Sequence, residues 1–168
     1  MVIWITGLAG SGKTAIGRRI CDTLRERKSN IIFLDGDILR NVIGDQAGYS
    51  SEERLAKSKL YSRLCKMLSD QGLDVICCAV SMFDEVRDWN GENLQEYFEV
   101  FLDTPLEILI KRDKNGIYSA ALSGEIEDVM GVNAEYERPK NPDLTLPNDG
   151  TKTIESAVKS ILKHLELE

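Results

Sequence analysis

Short apolar runs and longer amphipathic stretches alternate along the chain, and the two differ in period. Residues 2–6, Val-Ile-Trp-Ile-Thr, form a continuous β-prone run, the pattern of a parallel strand covered on both faces. Ile16, Ile20 and Leu24 then recur at helical spacing and end in the charged tail 25–28. Residues 31–34 predict a second strand. Leu60, Leu64, Met67 and Leu68 fall on one face of a helix that Gly72 can close. Residues 74–80 predict a third strand, 98–102 a fourth and 144–146 a shorter fifth. Pro105 suits the first turn of a helix over 106–112, and Ile154, Val158, Ile161, Leu162 and Leu165 give a last amphipathic helix after the Asn148-Asp149-Gly150 turn.

This alternation predicts an α/β architecture of three layers: a five-stranded parallel sheet with helices on both faces, built as a single domain over residues 1–168. There is no internal repeat and no low-complexity linker. Residues 113–142 depart from the pattern, being charged, glycine-containing and weakly periodic, and are expected to form a mobile lid.

Composition narrows the function classes. Apolar runs such as 75–80 are far too short to span a bilayer. Met1 is followed at once by the first apolar run, without a basic leader region, so a cytoplasmic protein with no membrane partner is expected. Cys21, Cys65, Cys77 and Cys78 include no C-x-x-C pair, and His164 is the only histidine. Reduced, core-lining thiols are therefore expected rather than a zinc site or a Cys-His nucleophile. A net charge of −7 argues against nucleic acid as a partner and requires local cations wherever an anion is held.

Gly7-Leu8-Ala9-Gly10-Ser11-Gly12-Lys13-Thr14 fits G-x-x-x-x-G-K-[ST] in full, between a buried strand and an amphipathic helix. Gly7, Gly10, Ser11 and Gly12 let backbone N–H groups curl around phosphate oxygens, and the helix N-terminus adds its positive end. Lys13 is placed to neutralise the β- and γ-phosphates and Thr14 to join a Mg²⁺ shell, so ATP and Mg²⁺ are the expected cofactors. A glycine-rich turn that binds nothing would not need both the motif and its context. A GTPase would carry N-K-x-D after a later strand, which this chain lacks, and a motor ATPase would need more sensor elements than the length permits. A small-molecule kinase with a P-loop NTPase fold remains.

The second strand runs into Leu34-Asp35-Gly36-Asp37, with Arg40 following. Ligands of open α/β sheets bind at this edge. One carboxylate there can hold Mg²⁺ through water while the other orients or deprotonates an attacking hydroxyl. The competing reading is an acidic turn that caps a helix. The order GLAGSGKT, LDGD-x-x-R, GYS-x-x-x-R, LDTPLE, RD-x-x-G-x-Y, SGEI and PKNP resembles the adenylylsulfate kinase (APS kinase) family from Ile3 to about Leu146. The resemblance implies phosphoryl transfer from MgATP to the 3′-hydroxyl of a nucleotide whose 5′ end bears a further acidic group. It implies catalytic roles for Lys13, Asp35 and Asp37, acceptor contacts from Asp37 and Arg40, and a grip by Arg54 on the acceptor's anionic end. Asp35 would be the base or the carboxylate that orients the metal, together with Thr14. Tyr49 stands where the family has a base-stacking Phe, and Arg112 belongs to the lid over ATP. Val80 and Ser81 follow the third strand on the acceptor side, Ser81 at a position that some members phosphorylate.

Departures from the family pattern cluster on the acceptor side. Lys57 replaces an Asn, Met82 replaces the Pro after Ser81, and Asn115 replaces the Lys before Gly116, with Lys114 one place earlier. Val129 stands where a Phe clamps adenine, which removes stacking on the order of 1–3 kcal/mol. Two acceptors fit this pattern: adenylylsulfate held by compensating contacts, or a smaller pyrimidine nucleotide such as cytidine diphosphoramidate. The family segment before the first strand is missing, which weakens the expectation of its dimer, so a homodimer is left open. A nucleotide-binding module without transfer chemistry would not need both Lys13 and the Asp35–Asp37 pair.

Overall fold

The computed structural model describes residues 1–44 and 50–167. Five parallel strands, β1 (Val2–Thr6), β2 (Ile31–Asp35), β3 (Asp74–Cys78), β4 (Tyr97–Asp103) and β5 (Leu144–Pro147), lie in the order β2-β3-β1-β4-β5. β1 is central and buried throughout, as its uninterrupted apolar run requires. The helices are α1 (Lys13–Arg25), α2 (Gly36–Ile43), α3 (Ser51–Ser69), α4 (Asp84–Asn93), α5 (Leu106–Arg112), α6 (Ile117–Leu122) and α7 (Ile154–His164). A 3₁₀ turn at Lys114–Gly116 joins α5 to α6.

Strand side chains alternate between two cores. Ile3, Ile5, Ile76, Cys78, Val100 and Leu102 meet the apolar stripes of α1 and α7 on one face. Val2, Trp4, Val75, Cys77 and Phe101 meet Tyr61, Cys65 and Val86 from α3 and α4 on the other. The four cysteines are buried and unbridged, as core-lining thiols. No helix among the described residues is long and apolar enough to cross a membrane.

The fold class agrees with the sequence pattern, and the differences are local. β3 ends two residues earlier than its apolar run, because Ala79 donates the last ladder bond to Ile5 and the chain then turns away. The buried stripe of α3 is Ser58, Tyr61, Ser62 and Cys65, whereas Leu60 and Met67 are 43% and 52% exposed. Small side chains let α3 lie close to β3, and of the expected leucines Leu64 and Leu68 pack only at its margin. α2 and α4 had no clear apolar period. α2 is nucleated by Asp35, whose side chain accepts from the Asp37 N–H, and α4 buries Arg87 and Asn90 among its few apolar contacts.

Glu99, on β4, is 6% exposed. Burial pushes its carboxyl up to about 7, against the opposing charge of Arg87, whose Nε lies 4.0 Å away. In the unfolded chain a glutamate titrates near ~4.3. The folded state therefore binds the extra proton between these values, and the stability so gained at low pH is lost as pH rises through about 7. Glu99→Gln should raise stability by about 1–2 kcal/mol more at pH ~8 than at pH ~4, where both states keep most of the proton. Thermal unfolding at the two pH values checks this, and an equal shift at both would contradict it.

Candidate active site

β1 leads directly into the phosphate loop, and α1 starts at Lys13 with Gly12 as its N-cap. The loop is tight enough to require glycine at its ends. A Cβ on Gly7 would lie 2.8 Å from the Leu102 carbonyl oxygen, and one on Gly12, at φ 94°, 2.8 Å from Asn148 Nδ2. The N-terminus of α1 thus faces the loop's concavity, an arrangement suited to anionic oxygens. Lys13 Nζ donates to the Gly7 and Leu8 carbonyls, both at 2.8 Å, and approaches Ser11 Oγ at 3.4 Å. Burial lowers its pKa to about 8, and the nearby charge of Lys114 acts in the same direction.

The sheet register delivers the carboxylates to this loop. Ile5 and Asp35 both pair with Cys78 across β3, so the chain leaving β1 and the chain leaving β2 emerge at the same edge. Asp35 is buried. Its Oδ2 accepts from Thr14 Oγ1 at 2.7 Å and its Oδ1 from the Asp37 N–H at 3.0 Å. Asp35 thus caps α2, as the competing reading of the acidic turn expects, and the same residue also lines the cavity. Asp37 is half-exposed and accepts from Lys114 Nζ at 2.8 Å, with Arg40 at 3.5 Å. Burial opposes its ionisation, but the Lys114 hydrogen bond and the charges of Lys114, Arg40 and Lys13 outweigh that and hold the carboxyl below its usual range.

Loop and carboxylates open into one cavity of about 700 Å³. Its wall contains Gly10, Gly12, Lys13, Thr14, Asp35, Asp37, Arg40, Arg54, Lys57, Val80, Arg112 and Val129 from among the expected site residues. Gly7 and Ser11 shape the loop from behind the wall. Ser81 does not reach the cavity: with β3 ended at Cys78, it folds back under β1, fully buried, its carbonyl accepting from Thr6 Oγ1 at 3.2 Å. The expectation that Ser81 contacts a ligand therefore finds no support in this placement. Tyr49 lies outside the described residues.

Several wall contacts join distant segments. Arg54 donates to the Asp128 carbonyl across the cavity, and Arg112 donates to Gly10 O at 3.1 Å and Asn148 O at 3.2 Å. Val129 is 5% exposed and packs into the α3–α4 core while bordering the cavity. Asn115, where the family has Lys, adopts φ 59°, a left-handed conformation that Asn tolerates well. Sequence reasoning missed Tyr61 and Ser58 in the wall, and Tyr118 and Asn148 behind it. Tyr61 and Ser58 carry the helical period that the leucines of α3 obscured. Tyr118 was visible only as the last residue of RD-x-x-G-x-Y and Asn148 only as part of a turn, neither with a link to the loop.

A doubly covered parallel sheet with a phosphate loop facing a carboxylate pair defines a nucleotide-binding kinase of the P-loop fold. The family model for Adenylylsulphate kinase matches residues 1–147, and the chain belongs to that family. It is 40% identical to the cytidine diphosphoramidate kinase of Campylobacter jejuni over 166 residues, covering 99% of this chain and 96% of the relative. It is 37% identical to a probable adenylyl-sulfate kinase of Aeropyrum pernix, covering 94% and 88%. The structure of Mycobacterium tuberculosis APS kinase in complex with AMPPNP and APS superposes with a TM-score of 0.90 at 34% identity, covering 98% of this chain and 96% of that one.

With Lys13 as a phosphate ligand, nucleotide binding is expected to depend on pH. In the free protein it loses its proton as pH rises through about 8, and phosphate charge in the bound state favours its return. Affinity for AMPPNP should fall above that pH, with net proton uptake on binding near pH ~8.5. Calorimetry in buffers of different ionisation enthalpy reads the uptake, and an affinity flat from pH ~7 to ~9.5 would exclude it.

Proposed function

We propose that the chain transfers the γ-phosphoryl group of ATP to the 3′-hydroxyl of a small nucleotide whose 5′ end carries a further acidic group. The observation that carries this is the shared cavity: the phosphate loop and the Asp35–Asp37 edge open into it, and Arg40, Arg54 and Lys57 line it too. In a chain of net charge −7, three cations on one wall suit a bound anion, and arginines can grip it bidentately.

Thr14 and Asp35 present hard oxygen donors 2.7 Å apart, which fits Mg²⁺. When bound, the ion supplies charge neutralisation at the β- and γ-phosphates. Lys13 exchanges its loop carbonyls for phosphate oxygens and, with Arg112, stabilises the charge that spreads over the moving group. Asp35 accepts a hydrogen bond from the acceptor's 3′-hydroxyl and orients it in line, while Asp37 and Arg40 hold the acceptor's sugar end. Residues 113–142 serve as the lid, with Arg112 at its root. The reading places the enzyme in the cytoplasm, where ATP is available, and retains a homodimer as the assembly to examine by sedimentation.

Adenylylsulfate is the acceptor the family implies. A second reading, a cytidine diphosphate derivative such as cytidine diphosphoramidate, is favoured by Val129: an aliphatic side chain locked into the core offers no second platform for a purine. The relative that shares 40% identity points the same way. Incubation with ATP and each acceptor, followed by mass spectrometry of the 3′-phosphorylated product, separates the readings. A preference for adenylylsulfate would sink the cytidine reading, and no product from either would sink both.

Asp35→Asn retains the N-cap through Oδ1, since Asn caps as well as Asp, while it removes the charge and puts an NH2 donor where Oδ2 accepts from Thr14. It should lower kcat by about 10²–10⁴-fold while the melting temperature stays close to that of the parent. Near-parental turnover would remove Asp35 from the mechanism.

A further inference from the structure

The carbonyls of the phosphate loop are held one after another by side-chain donors, two of which, Tyr118 and Asn148, do not line the cavity. Lys13 Nζ takes Gly7 O and Leu8 O at 2.8 Å each. Tyr118 Oη, from α6, donates to Ala9 O at 2.7 Å. Arg112, from α5, donates to Gly10 O at 3.1 Å. Asn148 Nδ2, from the turn after β5, donates to Ser11 O at 2.6 Å. Three separate elements thus supply one donor to each of three consecutive carbonyls. Tyr118 is fully buried, and neither it nor Asn148 lines the cavity, so in this arrangement neither meets a ligand there.

Peptide planarity turns these contacts into a statement about the opposite side of the loop. In a trans peptide the C=O of one residue and the N–H of the next point in opposite directions, and no peptide bond among the described residues is cis. Fixing Ala9 O outward therefore fixes the Gly10 N–H inward, and fixing Ser11 O outward fixes the Gly12 N–H inward. These two glycines have the widest conformational choice in this part of the loop, with φ of 76° and 94°. Asn148 sits so close over Gly12 that any Cβ there would collide with Nδ2 at 2.8 Å.

We propose that Tyr118 and Asn148 are positioning residues for phosphate binding, which hold the Ala9 and Ser11 carbonyls outward and so preorganise the Gly10 and Gly12 amides toward the phosphates. Without the two donors, the glycines recover rotational freedom that binding must remove again, and the loss falls on phosphate-bearing ligands. Neither residue matches a phosphate-binding motif. Their relation to the loop exists only in the fold.

The inference rests on the loop's being the nucleotide phosphate site, which AMPPNP binding to the parent protein tests separately. Tyr118→Phe deletes one oxygen and keeps the buried ring, and Asn148→Ala removes the other donor. Calorimetric affinities for AMPPNP, ADP and adenosine are compared in parent and variants, with melting temperatures recorded alongside. Each variant is expected to bind AMPPNP about five- to tenfold more weakly, ADP less so, and adenosine unchanged. An unchanged AMPPNP affinity in Tyr118→Phe would overturn the proposal. An equal loss for adenosine would also overturn it, because that is the signature of general loosening. Should Asn148→Ala fail to fold, Tyr118→Phe alone decides.

Discussion

Strand register is the constraint on which the site depends. β3 receives Ile5 from β1 and Asp35 from β2 at the same residue, Cys78, and a one-residue slip of either strand would turn its side chains to the opposite face. The register is secured by α1, which lies directly against this junction. A Cβ at Gly17 would come within 2.3 Å of Cys78 Sγ and 3.1 Å of Phe33, so only glycine lets the helix approach so closely. Cys78 Sγ in turn donates to the Lys13 carbonyl at 3.3 Å and ties the first turn of α1 to the sheet edge. Loop, lysine and carboxylate are therefore positioned by one packed contact between helix and sheet.

Electrostatics then determine how the ligand-free site is held. An acidic chain that must capture anions gathers its cations locally and keeps them paired until needed. Lys13 is satisfied by loop carbonyls, Asp37 by Lys114 and Arg40, and Asp35 by Thr14. Lys114 and Tyr118 lie on one short segment, which reaches Asp37 at one end and the phosphate loop at the other. A change at either pocket therefore strains the same turn, whose Asp113 and Asn115 already sit at positive φ.

Legibility in the sequence follows contact distance along the chain. The phosphate loop was readable because its residues are contiguous and each does its work through local backbone geometry. The five strands were readable because their cores are continuous or alternating apolar runs. The face of α3 was misjudged because its leucines outweigh the serines and Cys65 in any hydrophobicity count, while close approach to β3 favours small side chains. Ser81 lies off the cavity wall because the end of β3 depends on where Ile5 stops pairing, which a single strand does not reveal. The contacts from Asn148 to Ser11 and from Tyr118 to Ala9 span more than a hundred residues, and only the assembled fold brings them together.

The acceptor side was legible as a set of departures, and the structure gives some of them a physical reason. Asn115 occupies a left-handed position that a β-branched or bulky residue would resist, and the cation displaced to Lys114 still reaches the cavity edge through Asp37. Val129 is held by a local frame in which Asn133 Oδ1 accepts from its N–H at 2.7 Å while Asn133 Nδ2 donates to Ile126 O at 2.9 Å. That frame points the position into the core, so a larger aromatic there would have to displace packed side chains before it could meet a base. Under the proposed function, binding strength lost by giving up a stacking platform is recovered at the charged end of the acceptor, and Arg54 and Lys57, which line the cavity from α3, are the side chains suited to it.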